Sequence, residues 1–207
     1  MRSESEIRAE TRAQGLRIKR NNFLAATLSG VLLVWLSLRF FPHSTLGILL
    51  GFVAGFFYAN LFEYCLHRFV LHAGRGFFFQ QHMVHHETLN SPEAARYVNF
   101  SSNPWGVVAL FFANAAPFLC LEWVFHTGGI AGMFVAFALY YIAFEEIHWR
   151  THLGGRLPKR LRFAARHHLR HHAHDTGEYN VFLPLLDWLV ATVQPRGNVR
   201  GGAGEGE

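Results

Sequence analysis

Charge is the first thing this chain is short of. Of its 207 residues only 16% are Asp, Glu, Lys or Arg, while 51% are hydrophobic and 15% aromatic, including 21 Phe. Soluble domains carry about 25% charged residues, and here the apolar residues come in long blocks. Cysteine is nearly absent. Cys65 and Cys120 are the only two and no Cys-x-x-Cys occurs, which leaves zinc-ribbon and thioredoxin chemistry without its ligands. The two fall near opposite ends of apolar stretches. If those stretches cross a hydrocarbon core of about 30 Å, the sulfurs cannot meet, because a disulfide needs Cα atoms within about 7 Å. Also missing are a G-x-S-x-G elbow and a phosphate-binding glycine loop, and Ser and Asp are sparse around the polar clusters. Hydrolase and kinase chemistry therefore have nothing to stand on. The polar, charged N-terminal residues lack the apolar run and cleavage site of a signal peptide.

What the chain has instead is four stretches apolar enough to span a bilayer, at about Phe23–Phe41, Leu46–Leu66, Trp105–Phe125 and Gly129–Ile147. Each approaches the roughly 20 residues a crossing helix needs. The links Pro42–Thr45 and His126–Gly128 are short, so the spans pair as two hairpins. The net charge of +5 sits where topology would place it rather than in a nucleic-acid-binding pattern. Arg2, Arg8, Arg12, Arg17, Lys19 and Arg20 precede the first span, Arg68, Arg75 and Arg96 lie in the middle loop, and nine more basic residues run from Arg150 to Arg200. Only Arg39 lies near the other face. By the positive-inside rule both termini and the middle loop are expected in the cytosol, in a bacterial inner membrane or the endoplasmic reticulum. Trp105 and Trp149 are expected at the inner interface and Trp123 at the outer one. Gly47, Gly51 and Gly55 form a small-residue ridge suited to close helix packing. Residues 1–22 read as a polar cytosolic lead-in, 23–194 as the membrane domain, and 195–207 as a disordered tail.

Histidine is the abundant polar residue. Twelve of fourteen fall in four tight clusters close beyond the apolar spans: His67 and His72 in HRFVLH, His82, His85 and His86 in HMVHH, His148 and His152 in HWRTH, and His168, His171 and His172 in HLRHH, with His167 and His174 flanking the last. All four lie on the expected cytosolic side, and His43 and His126 lie on the other. On a helix at about 100° per residue, offsets of three and four put each H-x-x-H-H triplet on one face, and His148 and His152 can share one metal. His67 and His72, five apart, fall about 140° apart on a straight helix. Either the helix breaks between them or each serves a different ion, which hints at two metals. Ten imidazoles exceed what a closed structural zinc site needs; divided between two metals they give about five each. A hairpin, a His pair and a His triplet, followed by the same order again, form a functional echo along the chain.

Glu63 lies four residues before His67, and Glu145 three before His148. Those spacings suit carboxylates that take a ligand's free ring N–H. His167, His174 and Asp187 are further candidates for positions behind the ligands. No catalytic side chain is expected beyond the ligands themselves. A lipid chain can reach such a centre from the bilayer, and oxidation of its C–H bonds by dioxygen calls for iron, since zinc has no redox states. The basic run Arg156–Arg170 reads as a stop signal, or as a dock for anionic headgroups or an acyl carrier.

The ordered set HRFVLH, HMVHH, HWRTH and HLRHH resembles the fatty acid hydroxylase/sterol desaturase superfamily of integral-membrane di-iron enzymes, over about Glu63 to Thr192. EYCLHRFVLH and ARHHLRHHAH look most like the fatty acid 2-hydroxylase branch, and YNVFLPLLDWLVAT resembles the family's closing segment. The resemblance implies an all-α integral membrane protein, with four transmembrane helices in two hairpins under a cytosolic histidine-rich helical cap. It implies two irons held by His67, His72, His82, His85, His86, His148, His152, His168, His171 and His172, with zinc able to substitute in a purified sample and dioxygen as co-substrate. Which histidine serves which metal does not carry over. In two places the chain departs from the pattern. Asn180 stands where the family often has Gly, a position where Asn tolerates positive φ, and Leu186 replaces the usual Trp before Asp187. No HPGG haem motif occurs, so electrons are expected from a separate cytochrome b5-like or ferredoxin-like protein. The implied activity is hydroxylation of a lipid, a fatty acyl chain first. The rival readings are a sterol or carotenoid hydroxylase or desaturase of the same superfamily and, in another class, a non-catalytic metal-binding membrane protein.

Overall fold

The computed structural model describes residues 2–174 and 176–193. The described residues are helical, without strands. The elements run α1 (Glu4–Phe40), α2 (Thr45–Cys65), a π-helix (Leu66–His72), α3 (Phe77–Glu87), α4 (Ala94–Tyr97), α5 (Pro104–Phe125), α6 (Ile130–Leu153), a 3-10 turn (Lys159–Leu161), α7 (Arg162–His174) and α8 (Leu185–Leu189). Four are long and apolar enough to cross a membrane: α1, α2 with its π-helical extension, α5 and α6. These are the four spans read from the sequence, joined as the expected hairpins. The chain is a multi-pass membrane protein by this measure.

Helix α6 is the centre of the bundle and packs mainly on α2 and α1. Its closeness to α2 comes from the glycine ridge. A Cβ at Gly51 would lie 2.0 Å from the Gly129 carbonyl oxygen, and one at Gly55 would lie 2.6 Å from Met133 Cα. Gly132 answers from the other side, where a Cβ would meet the Ile48 carbonyl at 2.0 Å. The helix-packing reading of the ridge therefore holds. Between the spans sits an aromatic core of Phe111, Phe118, Phe134, Phe137, Tyr140 and Tyr141. Outward-facing Leu28, Leu46, Leu49, Leu50 and Val53 are exposed, as lipid-facing residues must be. At the hairpin end the buried Glu122 accepts from Thr127 Oγ1 at 2.7 Å and from the backbone N–H groups of Gly128 and Gly129. A carboxylate in such a helix is costly unless it is bonded in this way.

The lead-in reading of residues 1–22 is corrected. Helix α1 begins at Glu4, behind a capping box formed by Ser3 and Glu6. Its 37 residues reach about 55 Å at 1.5 Å per residue, well beyond a hydrocarbon core of about 30 Å. The projecting half is docked along one narrow face, through Thr11, Gly15 and Asn22, while most of its other side chains stay exposed. Thr11 Oγ1 donates to the Pro92 carbonyl at 2.7 Å, Asn99 Nδ2 to Gly15 O at 3.1 Å, and Asn22 Nδ2 to Ser101 O at 2.9 Å. Trp149 is buried against Ala95, Val98 and Leu153, whereas Trp105 and Trp123 are exposed. The tail reading of 195–207 lies outside the described residues. Cys65 and Cys120 are free thiols.

Candidate metal centre

All four histidine clusters meet at the end of the bundle opposite the two short links. Ten imidazoles sort into two sets of five, each set offering one nitrogen per ring with all five atoms within 4.8 Å of one another. The first set is His67, His72, His82, His86 and His171, and the second is His85, His148, His152, His168 and His172.

Three features of this partition go beyond the sequence reading. First, the triplets do not act as single-face units. Each triplet keeps its first and third histidines, four residues apart, in one set and sends its middle histidine to the other: His85 crosses to the second set and His171 to the first. Second, His67 and His72 share one set rather than serving two. The segment between them is a π-helix, and its i→i+5 hydrogen bonding returns residues five apart to nearly one face. The bond that closes it runs from Ala73 N–H to Arg68 O at 3.0 Å, and the two rings lie 5.1 Å apart. Third, the two sets are built alike. Each takes a pair from the end of a span, the outer two histidines of the following triplet, and the middle one of the other triplet. The echo seen along the chain is a spatial one.

The ring atoms fit a metal. His82 Nε2 lies 3.0 Å from His67 Nε2, 2.9 Å from His72 Nε2 and 3.1 Å from His86 Nε2. In the second set His148 and His85 Nε2 are 3.1 Å apart, His152 and His168 2.9 Å, and His172 and His168 3.1 Å. Two nitrogens at right angles on a metal about 2.1 Å away are separated by about 3.0 Å. The outer face of the first set is fixed. His67 Nδ1 bonds the Tyr179 carbonyl and His171 Nδ1 bonds the Gly177 carbonyl at 2.7 Å. A carbonyl can only accept, so each Nδ1 carries the proton and each Nε2 presents its lone pair inward. His171 Nε2 is buried and without a protein partner. Burial, reinforced by neighbouring histidines, pushes His82, His85, His168 and His172 well below the ordinary imidazole range, and burial takes His171 down to about 3. The rings are thus held neutral, the form that ligates.

The carboxylates stand one step further out than their spacing suggests. Glu63 does not meet His67. It accepts from Tyr140 Oη at 2.5 Å, Asn180 Nδ2 at 3.0 Å, Val181 N at 2.8 Å and Phe182 N at 3.3 Å. Glu145 does not meet His148 but takes Phe100 N–H at 2.8 Å. Helical spacing aligned each pair along one helix; the bonding partners come from other segments, which offer closer donors. Asp187, fully buried, accepts from Tyr179 N, Asn180 N, Thr192 Oγ1 and His167 Nε2, the last at 2.9 Å. Burial alone would raise its pKa, but these bonds outweigh that and hold it below the usual aspartate value. Arg170 pairs with buried Glu178 at 2.5 Å. His167 and His174 stay outside both sets; His174 bonds the Arg170 carbonyl.

The stretch 177–182 is therefore a brace, pinned by Glu63, Asp187 and Asn60, that delivers two carbonyls to the first set. Its left-handed residues are Gly177 and Glu178, at φ 73° and 57°. Asn180 is not left-handed. It serves through its side chain, which bonds Asn60 O and Glu63. Asn60, Tyr140 and Glu178 escaped the sequence reading, although a lone Asn inside an apolar span was a usable signal for the first.

A cavity of about 750 Å³ opens beside the centre. His67 and His82 of the first set and His85, His148 and His168 of the second all line it, and Phe62, Leu66, Leu110, Phe137 and Phe144 supply apolar wall.

Four membrane-length helices carrying two convergent sets of five imidazoles at one end define a multi-pass membrane protein with a polyhistidine centre able to hold metal. Residues 52–192 match the family described as fatty acid hydroxylase, and the chain belongs to that family. No curated protein and no solved structure matches it.

Proposed function

We infer that the protein is a di-iron, dioxygen-dependent monooxygenase that hydroxylates a fatty acyl C–H bond, with electrons from a separate carrier protein. The observation that carries this reading is that histidines of both sets line one cavity, walled in large part by apolar side chains and large enough for a lipid chain. The first iron falls to His67, His72, His82, His86 and His171, and the second to His85, His148, His152, His168 and His172. A bound pair of irons supplies the redox chemistry with dioxygen that no side chain here can provide.

The chain's own residues do the rest. The carbonyls of Gly177 and Tyr179 keep the tautomers of His171 and His67 fixed. Phe62, Phe137 and Phe144 hold the acyl chain against the centre and keep water from it. Exposed Arg156, Lys159, Arg160 and Arg162 leave a basic surface beside α7, which suits an acidic electron carrier. Lys and Arg placement favours the cytosolic side for this end. The motif likeness favours the 2-hydroxylase branch.

The test is comparative lipidomics of an expressing host under oxygen-18. A lipid heavier by one labelled oxygen, present only in expressing cells, is the expected result. Expression with no labelled lipid under reducing conditions, together with one zinc per chain, sinks the reading.

A further inference from the structure

The cavity has a polar end as well as an apolar one. Gln14, Arg17 and Asn21 of α1 line it together with Arg96 of α4. The docking of α1 makes this end a fixed feature. Asn99 bonds Gly15 O, and the Ala95 carbonyl lies against Gly15 so closely that a Cβ there would sit 2.1 Å from it. Gln14, Arg17, Ile18 and Asn21 recur at the i, i+3, i+4, i+7 spacing of one helix face, so one face of α1 lines the cavity with Arg17 on it, and α1 packs against α4, which carries Arg96.

Their charge is not spent elsewhere. On the same helix, Arg2 pairs with Glu10, Arg8 with Glu4 at 2.7 Å and Lys19 with Glu146, and Arg12 donates to Leu153 O at 3.2 Å. Among the described residues neither Arg17 nor Arg96 meets a carboxylate, and Arg96 lies only over the Tyr97 ring. The one acidic residue lining the cavity, Glu63, is buried and occupied by Tyr140, Asn180, Val181 and Phe182. The cavity wall therefore carries two exposed guanidinium groups that have no carboxylate partner among the described residues, together with hydrocarbon wall and the histidines. A guanidinium matches an oxyanion with paired N–H donors.

We propose that the cavity selects a single-chain lipid with an anionic head, a carboxylate or a phosphate, bound by Arg17 and Arg96 while its chain runs along the phenylalanine wall toward the metal centre. This names the substrate class of the site proposed above and rests on that reading for the chain's destination.

The test is binding, without oxygen or reductant. Purified metal-loaded protein in nanodiscs of neutral lipid is titrated with palmitate, hexadecyl phosphate and hexadecanol, which share a chain and differ in the head. At least one anion is expected to bind about tenfold or more tightly than the alcohol. The better anion identifies the source, carboxylate for a free acid and phosphate for a phospholipid-type head. Arg17→Gln with Arg96→Gln should erase the gap while leaving hexadecanol binding unchanged. The Lys,Lys pair should keep most of it, and Arg20→Gln, outside the cavity wall, should keep all of it. Equal binding of alcohol and both anions to the wild-type protein, or a gap that survives the double Gln substitution, overturns the proposal. Absence of oxygen-18 product would sink the hydroxylase reading and leave this preference standing. Equal binding would sink this preference and leave hydroxylation of a neutral lipid standing.

Discussion

At the scale of single residues, the centre turns on which ring joins which set. His171 and His148 are buried members of opposite sets, so on the proposed two-metal assignment replacing either removes one ligand from one metal only. His171→Ala and His148→Ala are each expected to abolish hydroxylated lipid while the protein still inserts in the membrane. Metal analysis should show loss of about one of two ions in each case. Full activity in either variant refutes the ligand assignment. That these ten rings converge was legible in the sequence, as two pairs and two H-x-x-H-H triplets on one expected face of the membrane. Their partition was not. Within HMVHH nothing marks His85 as facing away from His82 and His86; that choice is made by His148 and His152 arriving from α6. Glu63 and Glu145 fail the same way, since helical spacing shows who shares a face but not who approaches from elsewhere.

At the scale of elements, the π-helix and the brace carry the argument. The π-helix lets an HX4H pair do what HX3H does on an ordinary α-helix, as His148 and His152 do on α6. It behaves as an α-helix with one residue inserted. Deleting exposed Val70 should therefore convert the segment to α-helix, leave His67 and the shifted histidine on one face, and preserve two metals per chain. Inserting one alanine after Phe69 should instead lose the metal of the first set. Equal metal content in the two variants would show that the π-helix is not what aligns the pair. The brace makes a different prediction. Asp187 fastens the backbone of Tyr179, whose carbonyl orients His67. Partners behind a ligand are typically worth about 10–100-fold in metal affinity. Asp187→Ala should weaken retention of one metal by about tenfold in a chelator titration and leave the second set's metal unchanged. Here the motif pointed to the right residue, but its contacts with the backbone of Tyr179 and Asn180 could only come from the fold.

At the scale of the whole molecule, the hairpins and spans were readable because apolar length is a strong signal. The docked half of α1 was not. It packs through Thr11, Gly15 and Asn22, small and polar residues that leave no hydrophobic stripe to detect. The α2–α6 contact is the frame on which both sets are hung, and Gly51 and Gly132 are its tightest points. Gly51→Val should cost about 1–3 kcal/mol, the usual penalty for overpacking, read as a lower melting temperature in detergent and a reduced metal load. Unchanged melting would mean that the helices can part without consequence. One structural feature reaches furthest. Each half of the chain keeps four imidazoles and lends the fifth to the other, so neither hairpin can complete a metal site by itself. Metal affinity is then also adhesion between the halves. An ion held by either set would certify that the second hairpin has arrived and docked correctly, so a chain whose halves have not come together would have neither set of five imidazoles complete.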